Sequence, residues 1–239
     1  MLVDPIRMLN PLYTIAEAAR IVDVPVSTMT SWARGYRRSS AGRPDVVGEP
    51  IVTWIEPKDR GWPSIPFIGA AEALVVAAVR RRGVPLQRIR PALEVLIREI
   101  GVDHALASQR LYTDGAEILY DYGHSRQDTE EGHAAMELVV VRSGQRVFEQ
   151  VISSYLNRID YGTDGFAELI RVPPYLDGVV VVDPRRSSGA PIFSRGGARV
   201  EDALALFQAG EALDSVCLEF GMPVEHLLDV LRVTSCRAA

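Results

Sequence analysis

The first apolar stretch of the chain, residues 13–36, repeats its apolar positions at helical spacing on both sides of a short polar turn. Thr14 and Glu17 form a capping-box pair that predicts the start of a helix, and Asp23 marks the turn. Gly35 is placed where a second helix would end. The pattern predicts a helix-turn-helix near the N-terminus. Its inward-facing positions would be Ala19, Val24 and Met29.

The outward face of the second predicted helix carries short hydroxyl groups and one guanidinium, which can reach base edges or phosphates without a steric clash. The stretch that follows is rich in Ser, Gly and Pro and adds more arginines up to Arg43, as expected of a mobile arm that contacts phosphates. The predicted DNA-binding residues are Ser27, Thr28, Thr30, Ser31, Arg34, Arg37 and Arg38. A purely structural helix corner followed by a solvated loop is the alternative interpretation.

Two further patterns follow the predicted helix-turn-helix. Residues 51–55 alternate as a strand, and residues 64–67 can pair with them across a loop that contains prolines and a glycine, which predicts a wing. Residues 69–82 and 86–100 then repeat apolar positions at helical spacing and predict a second helix pair. The run Arg80 to Arg82 closes the first of these helices, where cations complement the helix dipole.

The middle of the chain changes to short apolar runs. Residues 118–121 and 138–142 are predicted as strands of a hairpin or small sheet, separated by a polar loop, and residues 145–156 as an amphipathic helix. Residues 158–161 and 167–171 are predicted as two strands about a Thr-Asp-Gly turn. We therefore expect a small central α/β region with hairpins.

The C-terminal third begins with a strand of four valines at residues 179–182. Three short helices are predicted at residues 200–207, 212–220 and 224–231, and the last two form another helix-turn-helix pattern, this one acidic. Their shared core would contain Leu204, Phe207, Leu213, Val216, Phe220, Leu227, Leu228 and Leu231.

These patterns together predict an α+β fold that is mainly α-helical. We expect three domains: residues 1–115 as a winged helix-turn-helix with the second helix pair, residues 116–174 as the central α/β region and a candidate dimerisation segment, and residues 175–239 as a short strand with a three-helix bundle.

Composition and charge refine this expectation. The 239 residues are 47% hydrophobic and 24% charged, enough for a sizeable core, with a formal net charge of −5. No apolar run reaches the roughly 18 residues that a membrane-spanning helix needs, and no signal-peptide pattern precedes the fold. A cytoplasmic protein without membrane contact is expected. Residues 1–115 hold 15 Lys and Arg against 12 Asp and Glu, whereas residues 116–239 hold 11 against 19. DNA is therefore expected at the N-terminal part, and a protein partner at the acidic C-terminal helices.

Motifs for catalysis and metal binding are absent from the sequence. No phosphate-binding glycine loop follows a predicted strand, and neither a GxSxG elbow, an HExxH pair nor a paired-cysteine spacing occurs. We expect no enzymatic activity, no cofactor and no metal. Cys217 is interpreted as a small core residue.

Residues 179–231 resemble a small bacterial domain family that recurs as the antitoxin half of toxin–antitoxin pairs. The matching features are Asp183-Pro184, Gly189-x-Pro191, Gly197-x-Arg199-Val200, and the helix breaks at Gly210 and Gly221-x-Pro223. With its N-terminal helix-turn-helix, the chain resembles a large VapB-type antitoxin whose winged region is similar to the MerR group. Gly197-Ala198-Arg199 departs from the usual Gly-Thr-Arg of this family.

The resemblance implies a non-catalytic regulator that neutralises a PIN-type ribonuclease toxin and represses its own operon. It implies operator DNA and the toxin as partners, and the size of one DNA-binding module predicts a homodimer. Candidate toxin-binding residues are Arg185, Arg186, Arg195 and Arg199. Two alternatives stay open: a one-component MerR-like regulator that senses a small ligand in the central region, and an interaction scaffold that does not bind DNA.

Overall fold

A computed structural model describes residues 4–40, 43–81, 86–139 and 157–238 of the chain. It divides into two compact units, Met1–Ala167 and Glu168–Ala239. The boundaries that we placed from the sequence lie at 115/116 and 174/175, and the first of these falls within a helix of the first unit.

The first unit begins with helix α1 (Pro5–Met8), strand β1 (Pro11–Tyr13), helix α2 (Ile15–Val22) and helix α3 (Val26–Arg34). The predicted helix-turn-helix is thus confirmed. Thr14 caps α2 through the predicted box with Glu17, and Asp23 has the left-handed conformation, φ 60°, that turns the chain between the helices. The α2 positions Ala18, Ala19, Ile21 and Val22 are buried.

A β-ribbon follows α3 directly: strand β2 (Tyr36–Ser40) pairs antiparallel with strand β3 (Arg43–Gly48). Our placement of the wing at residues 51–55 and 64–67 was wrong, as was the expectation of a mobile arm after α3, because the described residues there form β2 and β3. The backbone explains the difference. Strand β4 (Ile65–Pro66) pairs with β1, while the N–H groups of Ile51 and Val52 donate to the carbonyl of Trp32.

Helix α4 (Phe67–Arg81) is the central helix of the first unit, because every side chain from Phe67 to Val79 is buried. Helix α5 (Leu86–Ile100) follows it, so the predicted second helix pair is confirmed. No helix in the described part of the chain is long and apolar enough to cross a membrane.

Two helices stand where we predicted strands. A 3-10 turn (Ala105–Ala107) is followed by α6 (Gln109–Ser125) and α7 (Glu130–Val139). Within the described residues, the prediction of strands at 118–121 and 138–142, and of a central hairpin, was therefore wrong. The buried positions of α6 recur at helical spacing, at Leu111, Gly115, Leu119 and Tyr122. The predicted helix at 145–156 lies outside the described residues.

Strand β5 (Ile159–Tyr161) follows, and the predicted turn around Asp164 and Gly165 is present. Arg7 joins this turn to the start of the chain and is only 3% exposed. Its guanidinium donates to the carboxylates of Asp4 and Asp164 and to the carbonyl of Ala167.

The second unit contains the antiparallel strands β6 (Ala167–Arg171), β7 (Val180–Val182) and β8 (Ile192–Phe193), with β7 paired to both of the others. Three helices follow: α8 (Val200–Gln208), α9 (Leu213–Phe220) and α10 (Val224–Ala238). The predicted strand and three helices are confirmed, although α10 is seven residues longer than its apolar pattern indicated.

The helices of the second unit contribute Ala203, Val216, Cys217, Met222, Leu227, Val230 and Val233 to its core, and the strands contribute Ile170, Val180, Val182, Ile192 and Phe193. Cys217 is a buried free thiol, as expected. Burial raises its pKa, and nearby Asp214 and Glu225 add to this effect. Leu228 was wrongly placed in the core, since it is 51% exposed, and Leu218 on α9 is 85% exposed.

Candidate nucleic-acid interface

Helix α3 has a buried face and an outward face. Met29, Trp32 and Ala33 are fully buried, whereas Ser27 and Arg34 are exposed. Pro25 precedes the helix and Gly35 ends it with a φ of 70°. The amphipathic pattern of α3 therefore turns the predicted DNA-binding positions away from the core.

Thr30 and Ser31 are half-buried, and their hydroxyl groups already act as donors. Thr30 Oγ1 donates to the carbonyl of Val26 at 2.8 Å, and Ser31 Oγ donates to that of Ser27 at 3.0 Å. Because each hydroxyl proton is used within the helix, the outward lone pairs act as acceptors. In a major groove, such acceptors fit the amino groups of adenine and cytosine.

Thr28 and α4 are joined by a side-chain hydrogen bond that sequence reasoning missed. Arg80 Nη1 donates to Thr28 Oγ1 at 2.9 Å, which brings an exposed cation beside the first turns of α3. Arg81 donates to the carbonyl of Asp23 at 2.7 Å and to its carboxylate at 3.0 Å. The arginine run at the end of α4 thus supports the turn of the helix-turn-helix. Arg82 lies outside the described residues.

Arg34 lies at the carboxyl end of α3, with its guanidinium 5.4 Å from the ring centroid of Trp54. This cation–π contact fixes an otherwise flexible side chain while leaving it exposed. The same end of α3 is held to the following segment, since Trp32 O accepts hydrogen bonds from Ile51 N at 2.8 Å and from Val52 N at 3.3 Å. Only the structure reveals this arrangement, because the partners are about 20 residues apart.

The ribbon β2–β3 continues from this end of α3. Arg37 is exposed and is paired in register with Val47, which is 58% exposed. A side chain at Gly35 would collide with the carbonyl oxygen of Gly48, and one at Gly48 would collide with the ring of Tyr36. The base of the ribbon therefore fits closely against the end of α3. The side chains of Arg38 and Arg43 lie outside what the structure describes.

A polar cluster beneath this segment joins it to α4. Glu72, only 5% exposed, accepts from Thr53 N at 2.6 Å and lies 3.0 Å from His104 Nδ1. The hydrogen bond to Glu72 raises the pKa of His104, which outweighs the opposing effect of burial. A cavity of about 350 Å³ adjoins the cluster. Its lining residues are Pro50, Ile51, Val52, Thr53, Glu72, Ile97, Asp103, His104 and Leu106.

The four candidate toxin-binding arginines lie in the second unit, and all are exposed. Arg199 pairs with Glu201, and Arg185 Nη1 lies 3.9 Å from Glu168. Gly196, next to Arg195, approaches the carbonyl of Phe220 so closely that a side chain there would collide with it. The turn that carries Arg195 therefore rests against the carboxyl end of α9. No cluster of metal-binding side chains occurs among the described residues.

Comparison with known proteins agrees with this geometry. Residues 11–93 match a family described as "Putative DNA-binding HTH domain". The chain is 44% identical over 222 residues to "Putative antitoxin VapB45" of Mycobacterium tuberculosis, covering 92% of each protein. It is 25% identical over 235 residues to the uncharacterised protein Rv2308 of the same organism, covering 93% of this chain and 90% of that protein.

Among solved structures, the chain is similar to the crystal structure of Rv2018 from Mycobacterium tuberculosis. The TM-score is 0.78 at 41% sequence identity, and the match covers 94% of this chain and 99% of that one. The similarity thus extends over both units. With nearly its whole length matched at this identity, the chain belongs to the family of VapB-type antitoxins and carries a helix-turn-helix domain at its N-terminal end.

Proposed function

We propose that this protein neutralises a PIN-type ribonuclease toxin and represses its own operon through the helix-turn-helix. The observation that carries the DNA half of the proposal is the outward face of α3, where exposed Ser27 and Arg34 flank the half-buried hydroxyls of Thr30 and Ser31. The similarity to VapB45 supports the toxin half. The protein is not an enzyme, and it acts in the cytoplasm, where operator and toxin are both present.

The DNA contacts divide by chemistry. Thr30 and Ser31 accept hydrogen bonds from base edges, while Ser27 and Thr28 at the start of α3 bind the adjacent backbone together with Arg80. Arg34, Arg37 and Arg38 neutralise phosphates at the opposite end of the helix and along the ribbon. Base contacts then set the sequence that is bound, and phosphate contacts set the register.

The repressor binds as a homodimer. One helix-turn-helix module buries too little surface for tight specific binding, so two recognition helices are needed. They meet half-sites whose centres are about 34–36 Å apart, or a multiple of that distance. Residues 116–174 supply the dimer contact in this proposal, and residues 175–239 bind the toxin.

Salt-dependent binding tests the DNA half. Affinity for a duplex of the protein's own promoter should fall steeply as NaCl rises, and Arg34→Ala and Arg37→Ala should each reduce the slope of log K against log salt by about one. Arg195→Ala is the matched control, since it removes an exposed arginine from the second unit. If neither Arg34→Ala nor Arg37→Ala altered the slope, α3 and the ribbon would be rejected as the DNA-binding surface.

Co-expression tests the toxin half. The product of the neighbouring PIN-type reading frame should co-purify with the full chain and lose its ribonuclease activity in the complex. Arg185, Arg186, Arg195 and Arg199 are proposed to approach the acidic pocket of that nuclease. Replacing all four with Ala should restore nuclease activity. Unchanged inhibition would show that these arginines are not part of the interface.

A second candidate function is regulation of DNA binding by a small ligand. The cavity beside Glu72 and His104 supports it, although this cavity lies among residues 50–106 and not in the central region where we expected a ligand. Its volume of about 350 Å³ is within the range of small-molecule sites, and its wall includes Ile51 and Val52, whose N–H groups donate to the carbonyl of Trp32 in α3. In this alternative no toxin is bound. Failure of every neighbouring protein to co-purify, together with intact promoter binding, would favour it.

A further inference from the structure

The outward face of α9 combines an unusual apolar exposure with charge of one sign. Leu218 is 85% exposed, the largest exposure of any large hydrophobic side chain in the described chain. Asp214 and Ser215 lie on the same side of the helix at helical spacing and are also exposed, as is Glu211 just before the helix, while Val216 and Cys217 turn inward. We call Glu211, Asp214, Leu218 and Glu219 the leucine face.

The charged side chains of the segment that carries this face are all acidic. Residues 200–225 contain six carboxylates and neither lysine nor arginine, and all six carboxylates are exposed. The six are Glu201, Asp202, Glu211, Asp214, Glu219 and Glu225. Arg199, just before this segment, pairs with Glu201. Leu228 on the neighbouring helix adds a second leucine that is 51% exposed.

The sign of the charge decides which partner covers the leucine. Nucleic acid and anionic lipid surfaces are repelled by this face. A second copy of the chain would place like carboxylates against one another, which is destabilising across an interface. A protein with an apolar pocket bordered by Lys or Arg fits both the leucine and its surroundings, and a ribonuclease must carry such a basic border to hold RNA.

We propose that the leucine face of α9 is the primary docking surface for the toxin, with Leu218 inserted into an apolar pocket and the carboxylates on the basic RNA-binding rim. This inference rests on the proposed function and adds the docking surface to it. The toxin is bound through the surface that would otherwise bind RNA. The turn that carries Arg195 rests against the carboxyl end of α9, where Gly196 approaches the carbonyl of Phe220.

The test measures affinity between the full chain and the PIN-type protein encoded beside it. Leu218→Asp should weaken binding at least 30-fold, because it places a charge in the pocket, whereas Leu218→Met should stay within about fivefold of wild type since its volume is conserved. Leu9→Asp is the matched control, since Leu9 is 63% exposed in the first unit and should leave the affinity unchanged. Because Leu218 is exposed, none of these changes disturbs the core.

Hydrogen–deuterium exchange gives an independent measurement on the wild-type complex. Toxin binding should slow exchange across residues 211–220 and leave α3 unchanged. Protection confined to residues 185–199, or binding by Leu218→Asp within threefold of wild type, would overturn the inference while leaving the proposed function intact. Absence of any complex with the wild-type chain would instead reject the proposed function itself.

Discussion

The described part of the chain contains two helix-turn-helix pairs that share the geometry of the turn and differ in their surfaces. In the first, Asp23 has a φ of 60°, and in the second Gly221 has a φ of 62°. Each is followed by an apolar residue whose N–H donates to the carbonyl of a small residue five positions earlier. These hydrogen bonds, Val24 N to Ala19 O and Met222 N to Cys217 O, are both 3.0 Å long. A proline and then a valine open the second helix in both pairs.

The outward positions of these matched helices differ. Ser27 and Thr30 in α3 correspond to Glu225 and Leu228 in α10, while the inward Met29 and Trp32 correspond to Leu227 and Val230. The inward residues are apolar in both pairs, whereas the outward residues differ in chemistry. Under the proposed function, the same turn geometry faces a polyanion in one unit and a basic protein in the other.

The largest expected effect tests whether the two pairs are stabilised independently. Arg7→Ala would leave the carboxylates of Asp4 and Asp164 without their shared cation, at a cost of about 3–5 kcal/mol in the free energy of unfolding. All three tryptophans, Trp32, Trp54 and Trp62, lie in the first unit, so tryptophan fluorescence during urea unfolding reports this unit.

Reactivity of the buried Cys217 thiol reports the second unit in the same samples, with Cys236→Ser as background because Cys236 is exposed. Arg7→Ala should shift the fluorescence transition to lower urea and leave the onset of Cys217 labelling unchanged. An equal shift of both would show that the two helix pairs are not stabilised separately.

Adding a charge at equivalent outward positions gives the next largest effect. Thr30→Asp should reduce promoter binding roughly 10- to 100-fold, since one lost base contact is worth about 1–3 kcal/mol and the new carboxylate faces phosphates. Leu228→Asp makes the corresponding change in α10 and should leave promoter binding unchanged. Fluorescence anisotropy with labelled promoter DNA measures both, and equal losses would contradict the division between the pairs.

The two turn residues allow a smaller and more exact comparison. Gly221→Ala should destabilise the second unit by about 1–2 kcal/mol, because a Cβ is strained in the left-handed region even though open space surrounds it. Asp23→Gly should change stability by less than about 1 kcal/mol, because relief of strain is offset by loss of the exposed pair with Arg81. Urea unfolding with the two probes above measures each change, and a larger loss for Asp23→Gly would reverse the expected order.

The smallest effect is a pH dependence confined to the first unit. The pKa of His104 is raised in the folded state by Glu72, so its contribution to stability is fully present below the unfolded value near 6.5. The contribution is lost as the pH rises through the higher folded value. Fluorescence-monitored unfolding between pH 5 and 9 should show wild type and His104→Gln converging at the alkaline end. A difference in the free energy of unfolding between wild type and His104→Gln that grows with pH would contradict this prediction.

Local signals explain what the sequence could predict. The first helix pair was confirmed because its capping box, left-handed turn residue and terminal glycine all lie within 22 residues of one another. The C-terminal strand and helices were confirmed for the same reason. In α6, by contrast, the short run at 118–121 satisfies a strand pattern, and only the buried positions from Leu111 to Tyr122 show the helical period.

Long-range contacts could not be predicted. The pairing of β1 with β4 displaced the expected wing, and it joins residues more than 50 positions apart. The hydrogen bond from Arg80 to Thr28 and the approach of Arg34 to Trp54 are likewise set by packing. The seven predicted DNA-binding residues stay a proposal. Those whose side chains are described are exposed or half-buried, as DNA contact requires.

If the proposed DNA-binding surface is correct, the close fit of Gly35 against Gly48 has a consequence for the operator. Because Gly35 leaves no space for a side chain beside the carbonyl of Gly48, the base of the ribbon packs directly against the end of α3. Inserting a single base pair between the bases under α3 and the flank under the ribbon would rotate that flank by about a tenth of a helical turn. Operators of this protein should therefore tolerate sequence changes in the flank far better than changes in its spacing.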